Sequence, residues 1–226
     1  IQATAAFAAD VAHEIKKPLS SLRSATETFS RAKTAAQKKQ LLNIILQDVQ
    51  RLDRLITDIS QASRVDTEII GQDRDPVDFA GLIDNFIQMR SQTHSQYQLR
   101  FDHPPMPVMV RMNQSRMVQV IDNVLSNAIS FSPKGGTVQF ILTADATRKN
   151  AFLEILDDGP GIPDAKLETV FDRFYTERPS GEGFGEHSGL GLSIARQIVD
   201  AHNGQLTAEN RPEGGACFRL VLPLES

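Results

Sequence analysis

"NVLSNAISFSP" (residues 123–133) sets two asparagines, Asn123 and Asn127, four residues apart in an otherwise apolar segment. Residues at that spacing share a helix face, and the surrounding apolar periodicity extends the helix over 114–131. An amide oxygen is a neutral, hard ligand that suits Mg2+, an ion that keeps several waters and takes most of its remaining bonds from phosphates. Two hydrogen-bonded core asparagines would leave the same trace. This stretch alone does not separate the two readings.

Working outward, helices are expected at 78–94 and 189–202. Strands are expected at 97–102, 107–111, 137–144, 150–157, 205–210 and 215–222, where β-branched and aromatic residues concentrate. Grouped helices and strands predict a two-layer α/β sandwich rather than a doubly wound sheet. "LDDGPGIP" (156–163) leaves a strand, and Gly159 and Gly161 allow a tight turn against a ligand. A carboxylate at the strand end, Asp157, can accept a hydrogen bond from an adenine amino group; an acidic surface turn is the plainer alternative. "GEGFGEHSGLGLSIARQIVDAHNG" (181–204) runs from a glycine-rich stretch through Gly189 and Gly191 into an amphipathic helix. Its free N–H groups suit phosphate oxygens, and a mobile loop with a helix cap would look the same.

Residues 4–66 read as two helices. In the first, Phe7, Val11, Ile15, Pro18, Leu22, Ala25 and Phe29 form an apolar stripe. In the second, Leu42, Ile45, Val49, Leu52, Ile56 and Ile59 follow alternating steps of three and four, the seam of a bundle. "SRAKTAAQKK" (30–39) is read as the connecting loop. Two such helices bury too little to stand alone, which predicts a homodimer through residues 1–66 and a four-helix bundle. His13 lies about 190° from the centre of the first stripe, at about 100° per residue, and points to solvent. Pro18 is expected to loosen the helix beside it. "TEIIGQDRDPVDF" (67–79) has no sustained period and reads as a linker, placed at 67–76, before a second domain over 77–226.

The charge is uneven, about +3 over 1–66 and −7 over the rest, and neither part is basic enough to hold nucleic acid through its phosphates. No apolar run approaches the ~20 residues of a bilayer span, so no membrane contact is expected within this stretch, although a span upstream is compatible with a chain that begins at Ile1. Cys217 is the one cysteine, which excludes an internal disulfide and fits a reducing compartment.

Taken together, the three stretches resemble, in order and spacing, the N, G1 and G2 boxes of the ATP-binding domain of sensor histidine kinases. "VFDRFY" (170–175) resembles the intervening F box, "EGGACFRLVLP" (213–223) the closing strand, and "FAADVAHEIKKPLSSL" (7–22) the H box. The resemblance implies an α+β architecture: a helical hairpin forming a dimeric bundle, then an α/β sandwich that binds ATP. It implies ATP and Mg2+ as cofactors and a response-regulator receiver domain as partner. The chain would be the cytoplasmic portion of an inner-membrane sensor protein. "FDRFYTERP" and "SGLGLS" are also similar to stretches of alphaproteobacterial membrane sensor kinases.

By the same resemblance, His13 is the phosphoacceptor, Glu14 the acid beside it, and Asn127 the Mg2+ ligand, with Asn123 one turn earlier. Asp157 is the adenine-reading carboxylate in a loop shaped by Gly159, Gly161 and Ile162, and Phe131 stands where an aromatic packs on adenine. Phe174, Tyr175 and Arg178 border the nucleotide. A lid spans about 176–188, with Ser188, Gly189, Leu190, Gly191 and Leu192 at its C-terminal hinge. Some positions depart from the family pattern. Lys17 stands where Thr or Asn often positions a hydrolytic water, which implies weak phosphatase activity. Ser130, Thr176 and His187 replace a basic residue, an arginine and a glycine respectively. Two other classes compete: a gyrase-like ATPase, disfavoured because those enzymes use an acid as general base where Asn123, an amide, stands here, and an ATP-binding pseudokinase acting as a dimeric scaffold.

Overall fold

The structure is a computed structural model, and the residues described are 2–68, 74–145, 149–176 and 188–224, the side chains of 2–8 and 61–68 excepted. Contacts divide the chain into two compact units, residues 1–64 with 173–190 and residues 65–172 with 191–226.

In the first unit, α1 (Gln2–Phe29) and α2 (Ala35–Glu68) form the helical part. The stripe expected on α1 is its buried face: Pro18 and Ala25 are buried, and Val11, Ile15, Leu22 and Phe29 half-buried. Phe7 lies outside the described side chains. The helix runs unbroken through Pro18, which removes one backbone bond without ending it. The loop is shorter than the polar composition suggests, because α2 starts at Ala35. Thr34 Oγ1 accepts from Gln37 N at 3.2 Å, and Gln37 Oε1 accepts from Thr34 N at 3.3 Å and Lys33 N at 3.2 Å. This is a capping box, which starts the helix inside the polar run.

The single seam expected on α2 is divided in two. Ile45, Leu52 and Ile59 are half-buried, joined by Leu41 and Ile44 and by the fully buried Leu55. Leu42, Val49 and Ile56 instead share an exposed face with Leu46, each about half exposed, and Leu19 on α1 is exposed to a similar degree. Steps of three and four track a broad apolar arc, and a hairpin covers only one side of such an arc.

The second unit opens with β1 (Asp75–Asp78), which the sequence reading assigns partly to the linker. It pairs antiparallel with β3 (Met109–Met112), so this ribbon is separate from the main sheet. The main sheet has the order β2-β4-β5-β7-β6: Gln98–Asp102, Thr137–Ala144, Asn150–Leu156, Ala216–Pro223 and Gln205–Asn210. β2 runs parallel to β4 and the other pairs are antiparallel. Register puts Phe140 opposite Ile155 and Ile155 opposite Phe218, and Leu142, Leu153 and Leu220 likewise line up across three strands. All six are buried. That face carries the helices α3 (Phe79–Thr93), α4 (Gln114–Phe131) and α5 (Gly191–Ala201), giving the two expected layers. α4 begins on Asn113, whose Oδ1 accepts from Arg116 N at 3.1 Å, and buries Met117, Val120, Ile121, Val124, Leu125 and Ala128.

Candidate functional site

On α1, His13 is exposed, and no described residue hydrogen-bonds its ring. Glu14, one residue on, turns toward α2. Its Oε1 accepts from Lys17 Nζ and its Oε2 from Arg51 Nη2 at 3.4 Å. Lys17 itself is half exposed. The site on this helix is therefore an open imidazole beside a carboxylate held by two cations, and Arg51 is a member the sequence reading did not flag. Only the folded hairpin reveals it, since Glu14 and Arg51 stand 37 residues apart.

In the α/β unit, Asp157 ends β5's extension and is only 2 % exposed. Its Oδ1 accepts from Gly159 N at 2.8 Å and Ala216 N at 3.1 Å, while no described residue bonds Oδ2. Burial pushes the carboxyl above the usual carboxylate range, and the Ala216 and Gly159 amides and the Arg211 guanidinium oppose that rise. The result is a buried acid with one oxygen satisfied and one left as an acceptor.

The loop after Asp157 is packed without slack. A β-carbon on Gly159 would sit 2.8 Å from Asp157 Oδ1 and 3.2 Å from the Phe131 carbonyl oxygen, so α4's last residue borders the turn. Gly161 has φ +81°, a conformation open to glycine, and a side chain there would meet Asn210 Oδ1 at 2.8 Å. Asn210 accepts from Ile162 N at 2.7 Å and donates to Ile162 O at 2.6 Å and to Asp164 Oδ1 at 3.1 Å. Arg211 donates to the Asp157 carbonyl at 2.6 Å and reaches Asp158 Oδ1 at 3.4 Å. Neither Asn210 nor Arg211 carried a sequence signal.

The two asparagines of α4, Asn123 and Asn127, differ. Asn123 donates from Nδ2 to the Gly191 carbonyl at 2.9 Å, tying α4 to the start of α5. Asn127 is half-buried and no described residue bonds its amide. Leu192, one residue into α5, is half-buried. In the segment 173–190, Phe174 N donates to Gly189 O at 2.8 Å, and Leu190 N donates to Ser188 Oγ at 3.1 Å. A β-carbon on Gly189 would lie 2.9 Å from Tyr175 O, and Phe174 holds a positive φ of 62°. Leu190 is fully buried. Arg178, His187 and residues 177–187 of the lid expected over about 176–188 lie outside the described residues.

Among the described residues one cluster has metal-ligating character, Glu154, Glu209 and Cys217. Arg219 Nη2 donates to both carboxylates, at 2.7 and 3.1 Å, and burial with the two acids pushes the Cys217 thiol up to about 12. That cluster is an ion network on the sheet.

Comparison with known proteins matches residues 112–226 to the family described as histidine kinase-, DNA gyrase B-, and HSP90-like ATPase. Residues 3–68 match the His Kinase A (phospho-acceptor) domain. The sensor protein ChvG of Agrobacterium fabrum is 42 % identical over 99 % of this chain, which spans 39 % of that relative. The solved mycobacterial sensor histidine kinase MprB is 31 % identical with a TM-score of 0.58, over 67 % of this chain and 98 % of that one. Histidine kinase ThkA, solved in complex with the response regulator protein TrrA, shares the fold at a TM-score of 0.76 and 24 % identity, over 97 % of this chain and 61 % of that one. The chain belongs to the sensor histidine kinase family, with the phospho-acceptor and ATPase domains of that family in order.

Proposed function

We propose that this chain is the catalytic core of a two-component sensor: an ATP-dependent autokinase that phosphorylates His13 and passes the phosphoryl group to an aspartate of a response-regulator receiver domain. The observation that carries it is the pairing, in one chain, of an open imidazole on a helix of the phospho-acceptor domain with a buried acid whose Oδ2 is left to accept from adenine.

The neutral imidazole attacks through the lone pair on Nε2, with the proton on Nδ1. The N–P bond forms as the bond from the γ-phosphorus to its bridging oxygen breaks, and ADP leaves with that electron pair. The phosphorylated ring gains a positive charge, which an acceptor for Nδ1–H relieves. Glu14 supplies that acceptor when it exchanges Lys17 or Arg51 for the ring. Asn127 fits Mg2+, since its amide oxygen is neutral, hard and unclaimed by described residues. Bound there with ATP, the ion would neutralise phosphate charge. Asn123 is bound to Gly191 and, as an amide, cannot take a proton from water, which weighs against a gyrase-like ATPase.

The exposed face of Leu42, Leu46, Val49 and Ile56 on α2, with Leu19 exposed on α1, supports a homodimer, because apolar surface of that kind closes when two hairpins form a four-helix bundle. No described helix is long and apolar enough to cross a membrane. The first relative is named a sensor protein and is longer than this chain, which spans 39 % of it, and a cytoplasmic part of a membrane sensor is the reading that accommodates both.

Incubation with γ-labelled ATP tests the function. An acid-labile, base-stable phosphoprotein that disappears in His13→Gln, with ATP binding kept, is the expected result. Free phosphate alone would mean an ATPase, and neither product a scaffold. Label retained in His13→Gln would refute the phosphoacceptor.

A further inference from the structure

The acid proposed to read adenine does not orient itself. Its Oδ1 is consumed by two amides, Gly159 N from its own loop and Ala216 N from β7, so the direction of Oδ2 is set by where those two backbones stand. Both are held by the hairpin between β6 and β7. Arg211 N donates to Gly215 O at 3.0 Å and Gly214 N to Arg211 O at 3.1 Å, closing the turn. Gly215, at φ +85°, passes so close to Asp157 that a β-carbon would collide with the carbonyl oxygen of Asp157. From this turn two consecutive side chains reach across to the loop. Arg211 grips its start through the Asp157 carbonyl, and Asn210 grips its end through both the N–H and the C=O of Ile162.

We infer that Asn210 and Arg211 are positioning residues that set the preference for adenine over guanine without touching the base. This rests on the nucleotide-site reading above. Adenine presents an amino donor where guanine presents a carbonyl. A carboxylate oxygen held rigidly at that point accepts from the first and opposes the second with lone pairs. A loop freed at either end lets Asp157 turn away, and the discrimination falls. The Arg211 cation also favours the ionised acid against its burial.

The test is calorimetric titration of the whole chain with ADP and with GDP, for wild type, Asn210→Ala, Arg211→Gln and Arg211→Lys. The first two variants are expected to lose about tenfold or more in ADP affinity with GDP binding unmoved, so the preference falls by the same factor. Arg211→Lys keeps the cation without the planar fork and is expected to retain part of the preference. Melting curves without nucleotide are run alongside. Variants that melt with wild type and discriminate less support positioning. Folded variants with an unchanged preference overturn it, as does a parallel loss of both nucleotides in variants that melt early. If Asp157→Asn erases the preference while the other variants keep it, the nucleotide reading stands and this inference falls. If wild type binds neither nucleotide, the nucleotide reading falls first.

Discussion

The helical hairpin and the α/β unit treat their reactive groups in opposite ways. On α1 the imidazole of His13 stands in solvent, and the neighbouring helix leaves Leu42, Leu46, Val49 and Ile56 exposed. In the α/β unit the carboxyl of Asp157 is buried, half satisfied and wedged between backbone segments that admit only glycine. The contrast suits the two tasks proposed above. A group that receives a phosphoryl and hands it to another protein must be reachable. A group that recognises one base must be fixed and kept from water, because a hydrogen bond discriminates only where water does not compete.

The contrast breaks most visibly where the helices lack cover. Leu46→Asp with Val49→Asp would place four charges in the proposed twofold interface. Each buried aliphatic side chain is worth ~1.5–3 kcal/mol, so dimerisation should weaken on the order of a thousandfold or more. Sedimentation is expected to find wild type dimeric and the variant monomeric at the same concentration, with nucleotide affinity unchanged.

Asp157→Asn tests the buried side. It should cost about a hundredfold in ATP affinity, from a charged hydrogen bond worth ~1.5–3 kcal/mol. Because burial raises this carboxyl in the folded state, the charge is unfavourable to folding at neutral pH, and native stability from this group rises as pH falls toward the unfolded value of 3.8. The variant should therefore melt no lower than wild type without nucleotide, a result opposite in sign to that of an ordinary buried-contact loss.

A smaller effect separates the α/β scaffold from its site. His202 is buried, with Nδ1–H donating to Ile198 O at 2.7 Å and Nε2 accepting from Asn113 N at 3.1 Å. Burial holds its pKa below 6.5, the Ile198 bond opposes this, and Arg74 lowers it further. The unfolded chain takes up a proton near 6.5 while the folded ring stays neutral. Stability is then full above that pH and falls below it, by up to ~1.4 kcal/mol for each pH unit until the folded ring titrates. Denaturant unfolding at a series of pH values should show this slope, and His202→Gln should flatten it.

The smallest expected change is at Lys17. Replacing it with Asn supplies a side chain able to orient water for hydrolysis of the phospho-regulator and should raise that dephosphorylation severalfold, with autophosphorylation retained. Equal rates would remove Lys17 from the account of phosphatase activity.

Much of this was readable in advance where the signal is local. The periodicity of α4, the β-branched and aromatic composition of β4 and β5, and the solvent face of His13 depend on residues close by in the chain, and the structure keeps all of them. The readings that moved were those whose deciding partner is distant. "DPVD" has no strand signature of its own and becomes β1 because β3 lies beside it. The second helix's seam divides because only the opposing helix determines which half of the arc is covered.

The amino-acid sequence by itself determined the order of elements apart from β1, the exposed histidine and the acid–glycine turn, since backbone propensity and side-chain period act over a few residues. Tertiary structure alone decided that Glu14 is held by Arg51, and that Asn210, Arg211 and Ala216 grip the turn around Asp157 from 48, 54 and 59 residues away. Contacts at such separations are chosen by the packing of the whole sheet and bundle, and no stretch of chain carries that information alone.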